Sequence, residues 1–367
     1  MLHLPMIRFR RNPPAAARCV PPLLSPIACV LLVVLVLVVA GCGDRANVLV
    51  LHGATMGTTY NIKLADPPEE LDPGALQQRI DALLDEVNGL MSTYRPGSEL
   101  SRFNASPSTD WYPVSPELVR VVAAAQEVSK ATDGAFDVTV GPLVNLWGFG
   151  PDMDVSADQL PSAADVEAAR IRVGYRQLEV RRKPPALRKS RPDLYVDLSA
   201  IAKGYGVDRV AALIADAGIA NELVEIGGEL HGRGHNGQGE PWRIAVERPD
   251  PGVRRALRVV PLNELGMATS GDYRNFFEVD GKRYSHTIDP ATGRPVQHDL
   301  ASVTVLAESA MTADAWATAL LVLGPEAGLA KAQALDLPAL LIRRTGDELV
   351  SEHTPAFDAL TTAPDGG

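Results

Sequence analysis

The clearest pattern along the chain is a repeat of hydrophobic residues every three or four positions after residue 75. The residues that would share one face of a helix are Leu76, Ile80, Leu83, Leu84, Val87 and Met91. This spacing predicts an amphipathic α-helix. A second helix is predicted to begin at Ser115 and Pro116 and to end near Gly134, because Ser is a favoured N-cap and Pro a favoured first helical residue.

The rest of the chain alternates between helical and strand patterns without a strict order. A third helix is predicted over about 200–217, ending at Gly218, and a helix rich in small residues over about 309–323 is followed by a final helix. A strand pair broken by Gly57 is predicted over 47–64, and the C-terminal half contains several strands, including a hairpin with its turn at Asp280-Gly281. Clustered helices and strands favour an α+β fold with mostly antiparallel sheets. The segment from about residue 354 is predicted to be a loose end.

The N-terminus has the pattern of an export signal. Four arginines precede an apolar run over 27–40, and "VAGC" places small residues directly before Cys42. The run of about 14 residues is short for a membrane span, which needs roughly 20. This pattern is typical of a bacterial lipoprotein, with residues 1–41 as signal peptide, Cys42 as the lipidated residue and 42–49 as anchor and linker. A transmembrane anchor is the alternative. The predicted location is the bacterial cell envelope, facing the periplasm and attached to the inner or outer membrane through lipid.

Charge and standard motifs exclude several classes of function. The formal net charge is −10, and the sequence offers no basic surface for nucleic acid. An anionic ligand would therefore need a metal ion or a local group of donors. "GRGHNG", beginning at residue 232, matches a dinucleotide-binding pattern, but Pro241 and a strand-like segment follow where a helix is required, which predicts a loop. The seven histidines are scattered, so zinc is not favoured.

Two polar segments lie beside predicted helices. Asp197 and Ser199 are predicted at a strand end, before a helix whose first turn could bind an anion, with Lys203 one turn further along. The alternative is that Asp197 only caps this helix and Lys203 is solvated. In the helix rich in small residues, Asp314 and Thr318 are four positions apart, so they would lie on one face and leave room for a hard cation. Close packing through alanine, with Asp314 as a cap, is the alternative.

A third polar segment is "YSHTIDPATGRPV", residues 284–296. Turns at Pro290 and Gly293 would fold the chain back, so that His286 and Asp289 face one ligand. His286 could then polarise a phosphate or accept a proton, because the pKa of histidine is close to neutral. The alternative is that His286 and Asp289 pair with each other to brace the turn.

Taken together and in order, eight segments resemble one family. They are "ATMGTTY", "MSTY", "DGAFDVTVGPLVNLWGF", "VDLSAIAKGYGVD", "LVEIGGEL", "ATSGDY", "HTIDPATGRPV" and "AMTADAWATALLVLG". The family is ApbE, the FAD:protein FMN transferases. The resemblance covers about residues 50–357, implies a single catalytic unit of two subdomains, and leaves 358–367 as a tail.

The resemblance also implies a reaction and a partner. The reaction is Mg²⁺-dependent transfer of FMN from FAD to a Ser or Thr hydroxyl of an exported redox protein, with release of AMP. Two alternatives use the same site: a periplasmic FAD pyrophosphatase that gives FMN and AMP, and a flavin-binding lipoprotein without turnover.

The resemblance assigns roles to matching positions of this chain. The catalytic residues would be His286, Asp289 and Asp314. The metal would lie among Ala200, Met311, Asp314 and Thr318. The residues that would contact FAD are Met56, Tyr94, Ala135, Phe136, Asp137, Asp197, Lys203, Ser270, His286, Thr287 and Ile288.

Overall fold

Nine α-helices occur in the part of the chain that the structure describes. This computed structural model describes residues 47–151, 160–249, 255–273, 275–346 and 348–361. The predicted signal peptide, Cys42 and the last six residues lie outside these ranges. The helices are α1 (Pro73–Met91), α2 (Glu99–Ala105), α3 (Pro116–Ala131), α4 (Gly141–Leu146), α5 (Ala163–Arg170), α6 (Ala202–Asp216), α7 (Ala310–Leu323), α8 (Pro325–Ala334) and α9 (Pro355–Thr361). Within the described ranges, no helix combines the length and the hydrophobicity that a membrane span requires.

The predicted helices are confirmed, with small differences at their ends. Helix α1 buries all six hydrophobic residues of the repeat, and the carboxylate of Asp72 accepts hydrogen bonds from Gly74 N and Ala75 N at its N-terminus. Helix α3 begins after Ser115, whose hydroxyl accepts from Leu118 N as an N-cap should.

Most strands belong to one antiparallel sheet. Its strands, in spatial order, are β1 (Val48–Thr55), β2 (Thr58–Ala65), β6 (Glu222–Ile226), β7 (Glu229–Arg233), β10 (Leu265–Gly271), β15 (Leu300–Ala307), β16 (Ala339–Thr345) and β17 (Glu348–His353). Every neighbouring pair in this order is antiparallel. The α+β class with mostly antiparallel sheets is therefore confirmed.

Four smaller sheets complete the strand content of the described residues. They consist of β3 (Tyr112–Pro113), β5 (Pro185–Lys189) and β4 (Leu178–Arg182); β8 (Trp242–Glu247) and β9 (Ala256–Leu262); β11 (Phe276–Val279) and β12 (Lys282–Ser285); and β13 (Ile288–Asp289) and β14 (Arg294–Pro295). The predicted turn between β11 and β12 is confirmed: Asp280 and Gly281 have φ values of 51° and 73°, as a two-residue hairpin loop requires. The loop after β7 leads into strand β8, which confirms that "GRGHNG" does not open a helix.

Both faces of the large sheet are covered, because successive strand residues point to opposite sides. Val305 belongs to the core that includes α7, and the next residue, Leu306, belongs to a second core with Trp242 and Phe357. Residues from Ala46 onward form one compact unit, and the division of this unit into two subdomains stays a prediction.

Two predictions about local structure are wrong. The loose end predicted from about residue 354 begins instead with α9, because the fully buried Phe357 joins a hydrophobic core. The segment around Asp197 is not a strand. It is held by hydrogen bonds to residues outside the sheets. Asp197 N donates to Val138 O at 2.7 Å, and Val196 exchanges two hydrogen bonds with the Asn104 side chain, at 2.8 Å and 2.9 Å.

Candidate active site

The site is a cavity of about 650 Å³ between the large sheet, helices α6 and α7, and the segments around residues 135–149 and 286–290. This volume lies within the range of about 300–1,000 Å³ that is typical of small-molecule sites. Thirteen of the predicted site residues line it: Tyr94, Ala135, Phe136, Asp137, Asp197, Ala200, Lys203, Ser270, His286, Thr287, Ile288, Asp314 and Thr318. The fold thus brings together residues as far apart in the sequence as Tyr94 and Thr318.

Lys203 lies between two buried carboxylates in the wall of the cavity. Its Nζ atom is 3.2 Å from Glu229 Oε1 and 3.8 Å from Asp314 Oδ1. Burial alone would lower the pKa of Lys203, but the two carboxylates outweigh this effect and raise it. Burial also raises the pKa of Asp314 and of Glu229, while Lys203 acts in the opposite direction on both. Lys203 therefore stays protonated, and its positive charge reduces the repulsion between Glu229 and Asp314.

Glu229 was not predicted as a site residue from the sequence. It begins strand β7 directly after two glycines, which is a pattern that predicts a turn and gives no sign of a buried carboxylate. Its side chain is only 4 % exposed, and its Oε2 atom has no hydrogen-bond partner among the described residues. The cavity is lined by Glu225 as well, so acidic groups dominate this part of the wall.

The first turn of α6 is not a free anion site, which corrects the prediction for this segment. Gly204 N donates to Asp314 Oδ2 at 3.0 Å, so an internal carboxylate already occupies this helix end. The carboxylate of Asp197 accepts from Ser199 N at 2.8 Å and from Ser199 Oγ at 2.5 Å, and it therefore stabilises the turn before α6.

Residues with oxygen atoms that a hard cation accepts line the same cavity as Asp314. Thr318 Oγ1 lies 3.0 Å from Ser270 Oγ, across the contact between α7 and β10, and Ala200 lines the same cavity. A carboxylate, a hydroxyl and a backbone carbonyl are ligand types that Mg²⁺ accepts, with substrate phosphates and water completing the shell. In the described residues no group of three or more His, Cys, Asp and Glu side chains could hold a metal by itself. Asp314, Thr318 and Ala200 line one cavity and carry these three ligand types.

His286 is held in one orientation and one tautomer. Its Nδ1 atom lies 3.0 Å from the carbonyl oxygen of Asn275, and its backbone N donates to the same oxygen at 3.1 Å. Because a carbonyl can only accept, Nδ1 carries the proton, and the neutral ring keeps its lone pair on Nε2. Burial lowers the pKa of His286, which favours the neutral form at physiological pH.

A row of aromatic rings supports this histidine. The ring centroids of Trp147 and Tyr284 are 5.8 Å apart, those of Tyr284 and Phe277 are 5.4 Å apart, and those of Phe277 and Phe149 are 5.3 Å apart. The ring centroids of Phe149 and His286 are 6.3 Å apart, and the ring planes are inclined at 69°. Offset rings of this kind contribute packing beyond their buried area, so the row fixes the β11–β12 hairpin against the cavity.

Asp289 does not line the cavity together with His286, contrary to the prediction. It lies outside the described lining of the cavity, and its carboxylate accepts from Ala291 N at 2.9 Å. Gly293 N donates to Asp289 O at 2.8 Å, and Trp147 Nε1 donates to Gly293 O at 2.9 Å. Asp289 therefore stabilises a turn, and His286 pairs with Asn275 instead of bracing that turn.

Two predicted methionines also lie outside the lining. Met56 occupies a turn with a positive φ of 49° and packs against Gly206, where an added Cβ would lie 2.9 Å from Met56 Cε. Its neighbours Thr58 and Thr59 line the cavity instead. Met311 N donates to Asp208 at 3.0 Å in the first turn of α7.

Asp137 lines the cavity but has a structural function as well. Its carboxylate accepts from Tyr175 N at 2.7 Å and from Thr139 N at 2.8 Å, which ties two loops together. Burial raises the pKa of Asp137, and these hydrogen bonds act against that effect.

Fold and site together define an α+β protein with a cavity of about 650 Å³ whose wall carries buried carboxylates beside Lys203. The ApbE family model matches residues 56–341, and the chain belongs to the ApbE family.

Named relatives and solved structures agree with this assignment. The chain is 50 % identical over 321 residues to an FAD:protein FMN transferase of Vibrio cholerae, which covers 88 % of this chain and 95 % of that protein. It is 43 % identical over 314 residues to an FAD:protein FMN transferase of Escherichia coli strain K12, covering 85 % and 88 % of the two chains. The structure of the flavin transferase ApbE from Vibrio cholerae superimposes with a TM-score of 0.79 at 47 % identity, covering 86 % of this chain and 99 % of that one. The apo flavinyl transferase ApbE of Pseudomonas stutzeri gives 0.79 at 42 % identity, covering 88 % and 99 %.

Proposed function

We infer that this protein is a transferase that moves FMN from FAD to a protein. Membership of the ApbE family supports this reaction class. The relatives that match most of the chain are named FAD:protein FMN transferase. The observation in the structure that carries the proposal is the placement of Lys203, Asp314 and Glu229 together in the cavity wall. In such a site the ammonium group of Lys203 would attract phosphate oxygens, and the carboxylates would favour binding of a metal ion.

We propose Mg²⁺ as the cation of the site. Asp314, Thr318 and the backbone carbonyl of Ala200 would hold it. When bound, the ion would neutralise pyrophosphate oxygens and stabilise the departing AMP. Support comes from charge: the chain has a formal net charge of −10, and several acidic residues line the cavity, so a pyrophosphate would otherwise be repelled. Met311 was expected to add a carbonyl, but its position outside the cavity lining does not support this.

The protein's own groups would bind the pyrophosphate and move one proton. Lys203 Nζ would attract phosphate oxygens, since it remains charged between its two carboxylates. The hydroxyl oxygen of the acceptor would form a bond to the phosphorus of the FMN half of FAD. The bond from that phosphorus to the bridging oxygen would break, and AMP would leave with that oxygen. The hydroxyl proton would pass to Nε2 of His286, the ring nitrogen with a free lone pair.

The acceptor and the location are further parts of the proposal. We propose that the acceptor is a Ser or Thr hydroxyl of an exported redox protein, and that the enzyme is attached to the envelope membrane through a lipid on Cys42. The sequence pattern before Cys42 supports export, because a short apolar run after four arginines is typical of a signal peptide. An enzyme anchored at that surface would meet only exported acceptors.

One experiment separates this function from its alternatives. The purified protein without residues 1–41 is incubated with FAD, Mg²⁺ and an exported protein that carries a Thr acceptor site, and the acceptor is weighed by mass spectrometry. A gain of one FMN, with AMP released in equal amount, is the expected result. FMN and AMP released without an adduct on several acceptors would identify a pyrophosphatase. FAD bound without any AMP would identify a binding protein.

A further inference from the structure

Helices α6 and α7 cap each other. Asp208, on α6, accepts hydrogen bonds at the N-terminus of α7 from Ala310 N at 2.7 Å, from Met311 N at 3.0 Å and from Ser309 Oγ at 2.8 Å. The N–H groups at a helix start have no partner within the helix and carry a partial positive charge. A carboxylate from the neighbouring helix satisfies them here.

The second half of the exchange is the bond from Gly204 N to Asp314 Oδ2. Asp208 lies four residues after Gly204, and Asp314 lies four residues after Ala310, so each carboxylate stands one turn beyond the amide that faces the other helix. The two helix ends are therefore joined by two hydrogen-bonded contacts one turn apart, which fixes both their separation and their rotation.

At two glycines the neighbouring backbone approaches the start of α7 so closely that no side chain fits there. A Cβ atom at Gly204 would lie 2.3 Å from Ala310 O, and one at Gly266 of strand β10 would lie 2.3 Å from Ala310 N. A small shift of α7 would therefore be blocked on two sides, and a shift away would break the bonds to Asp208.

We propose that Asp208 is a positioning residue for the active site: it holds α7 so that Asp314 and Thr318 are presented to the cation. Asp208 does not line the cavity among the described residues, so it acts through α7 and not on the substrate. Loss of one carboxylate oxygen of Asp208 would remove the acceptor for Met311 N and Ser309 Oγ. The start of α7 could then move, and the distance between Asp314 and Lys203 would no longer be fixed. This inference rests on the proposed metal site.

The test compares the same substitution at two helix ends. Asp208→Asn keeps the shape but replaces one accepting oxygen by an NH₂ group, which would face the donors Met311 N and Ser309 Oγ. Asp72→Asn is the matched control. At the start of α1 a single oxygen of Asp72 accepts both hydrogen bonds, so asparagine can replace it. Mg²⁺ binding to the purified proteins without FAD is measured by calorimetry, together with kcat, the KM for FAD and the melting temperature.

Asp208→Asn is expected to weaken Mg²⁺ binding by about tenfold or more, as the loss of a group that orients a ligand does, and to lower kcat more than it raises the KM for FAD. Asp72→Asn should leave all three quantities unchanged. A folded Asp208→Asn protein with wild-type Mg²⁺ affinity and kcat, whatever its melting temperature, would overturn the inference. If this variant does not fold, Ser309→Ala replaces it. This change removes one donor to Asp208 and also the N-cap acceptor for Thr312 N, so Ser309→Thr, which keeps the hydroxyl, is its control. If wild-type protein binds no Mg²⁺ alone, the calorimetry is repeated with FAD present, and absence of binding there too would overturn the metal proposal and this inference together. Equal binding by wild type and variant would overturn only the inference.

Discussion

Asp314 uses its two carboxylate oxygens on different partners: Oδ2 accepts from Gly204 N at 3.0 Å, and Oδ1 lies 3.8 Å from Lys203 Nζ. The side chain of Asp314 thus stabilises the start of α6 and also faces the ammonium group of Lys203. The sequence-based alternatives for Asp314, a metal ligand or a cap, are not exclusive in this geometry. Separating them requires a change that removes the charge and keeps the hydrogen bond.

Asp314→Asn is that change. Asparagine can still accept from Gly204 N, so the start of α6 should persist, and the melting temperature without metal should hold or rise because one of two mutually repelling carboxylates is gone. FMN transfer should fall by orders of magnitude, since a bound cation contributes several kcal/mol to the transition state of phosphoryl transfer. Transfer rate and melting temperature are measured on the same preparation.

Asp289→Asn serves as the control for this prediction, because Asp289 lies in a turn outside the cavity lining. It should remain active. An Asp314→Asn protein that is less stable but fully active in its folded fraction would end the metal-ligand proposal.

A second prediction concerns the acid side of the pH–rate profile. Burial lowers the pKa of His286, so the unprotonated Nε2 should persist to lower pH than in a free histidine, whose pKa is about 6.5. The fall in kcat/KM should therefore occur below that value. His286→Gln should lower the rate at all pH values and remove this limb. A limb that stays in His286→Gln would assign it to another group.

The same shift has a consequence for stability. A histidine whose folded-state pKa is below its unfolded value binds its proton more readily when unfolded. The free energy of unfolding therefore decreases as the pH falls below the unfolded pKa. His286→Gln should lose this dependence, and melting curves recorded from neutral to mildly acidic pH would show it.

A third prediction concerns the anchor. Cys42→Ser should prevent lipidation and leave an unprocessed or soluble species, which mass spectrometry and membrane fractionation would detect. Cys19→Ser is the control, because Cys19 precedes the proposed cleavage point and should not affect processing. Wild-type protein in membranes that keeps the residues before Cys42 and carries no lipid would contradict the proposal.

A fourth prediction tests the end of the chain. Phe357 is fully buried in the core under the large sheet. Phe357→Ala should cost about 3–5 kcal/mol, as other large-to-small core changes do. Leu360→Ala, at a position that is 39 % exposed in the same helix, should change stability by no more than about 0.5 kcal/mol. Denaturant titration gives both values. Equal stabilities would show that α9 adds nothing to the core.

The elements with a regular pattern could be predicted from sequence, and the exceptions have physical reasons. Helix α1 was predictable because its six apolar residues are all buried on one face, and the β11–β12 turn because Asp280-Gly281 fits a positive φ at both positions. Phe357 gave no such signal, since one aromatic residue in a short polar segment carries no periodicity. Its burial depends on strands far away in sequence.

Some residues of the site could likewise be predicted from the sequence, and others could not. Residues that resembled the family motifs largely reached the cavity, whereas Asp289, Met56 and Met311 lie beside it, because a motif also contains residues that shape a turn or a helix start. Glu229 and Asp208 could not be found from spacing. Their importance comes from contacts to Lys203 and to the start of α7, which exist only after the sheet and the helices have assembled.

The last prediction concerns the charge balance around Lys203. Lys203→Gln would leave the buried carboxylates of Glu229 and Asp314 without their shared cation, and removing one member of a buried pair typically costs about 3–5 kcal/mol. The loss should depend on pH. Burial already raises the pKa of both carboxyl groups, and without Lys203 the pKa of each should rise further.

A carboxyl group whose folded-state pKa is above its unfolded value of about 4 releases its proton first in the unfolded chain. Stability is therefore present at low pH and is lost as the pH rises from that value to the folded pKa. The difference in melting temperature between wild type and Lys203→Gln should accordingly be small at mildly acidic pH and large at mildly alkaline pH. The double variant Lys203→Gln/Glu229→Gln should recover most of the loss, because only one carboxylate then remains. A difference that does not change with pH would mean that Lys203 stabilises the fold through packing and not through the charges of its two partners.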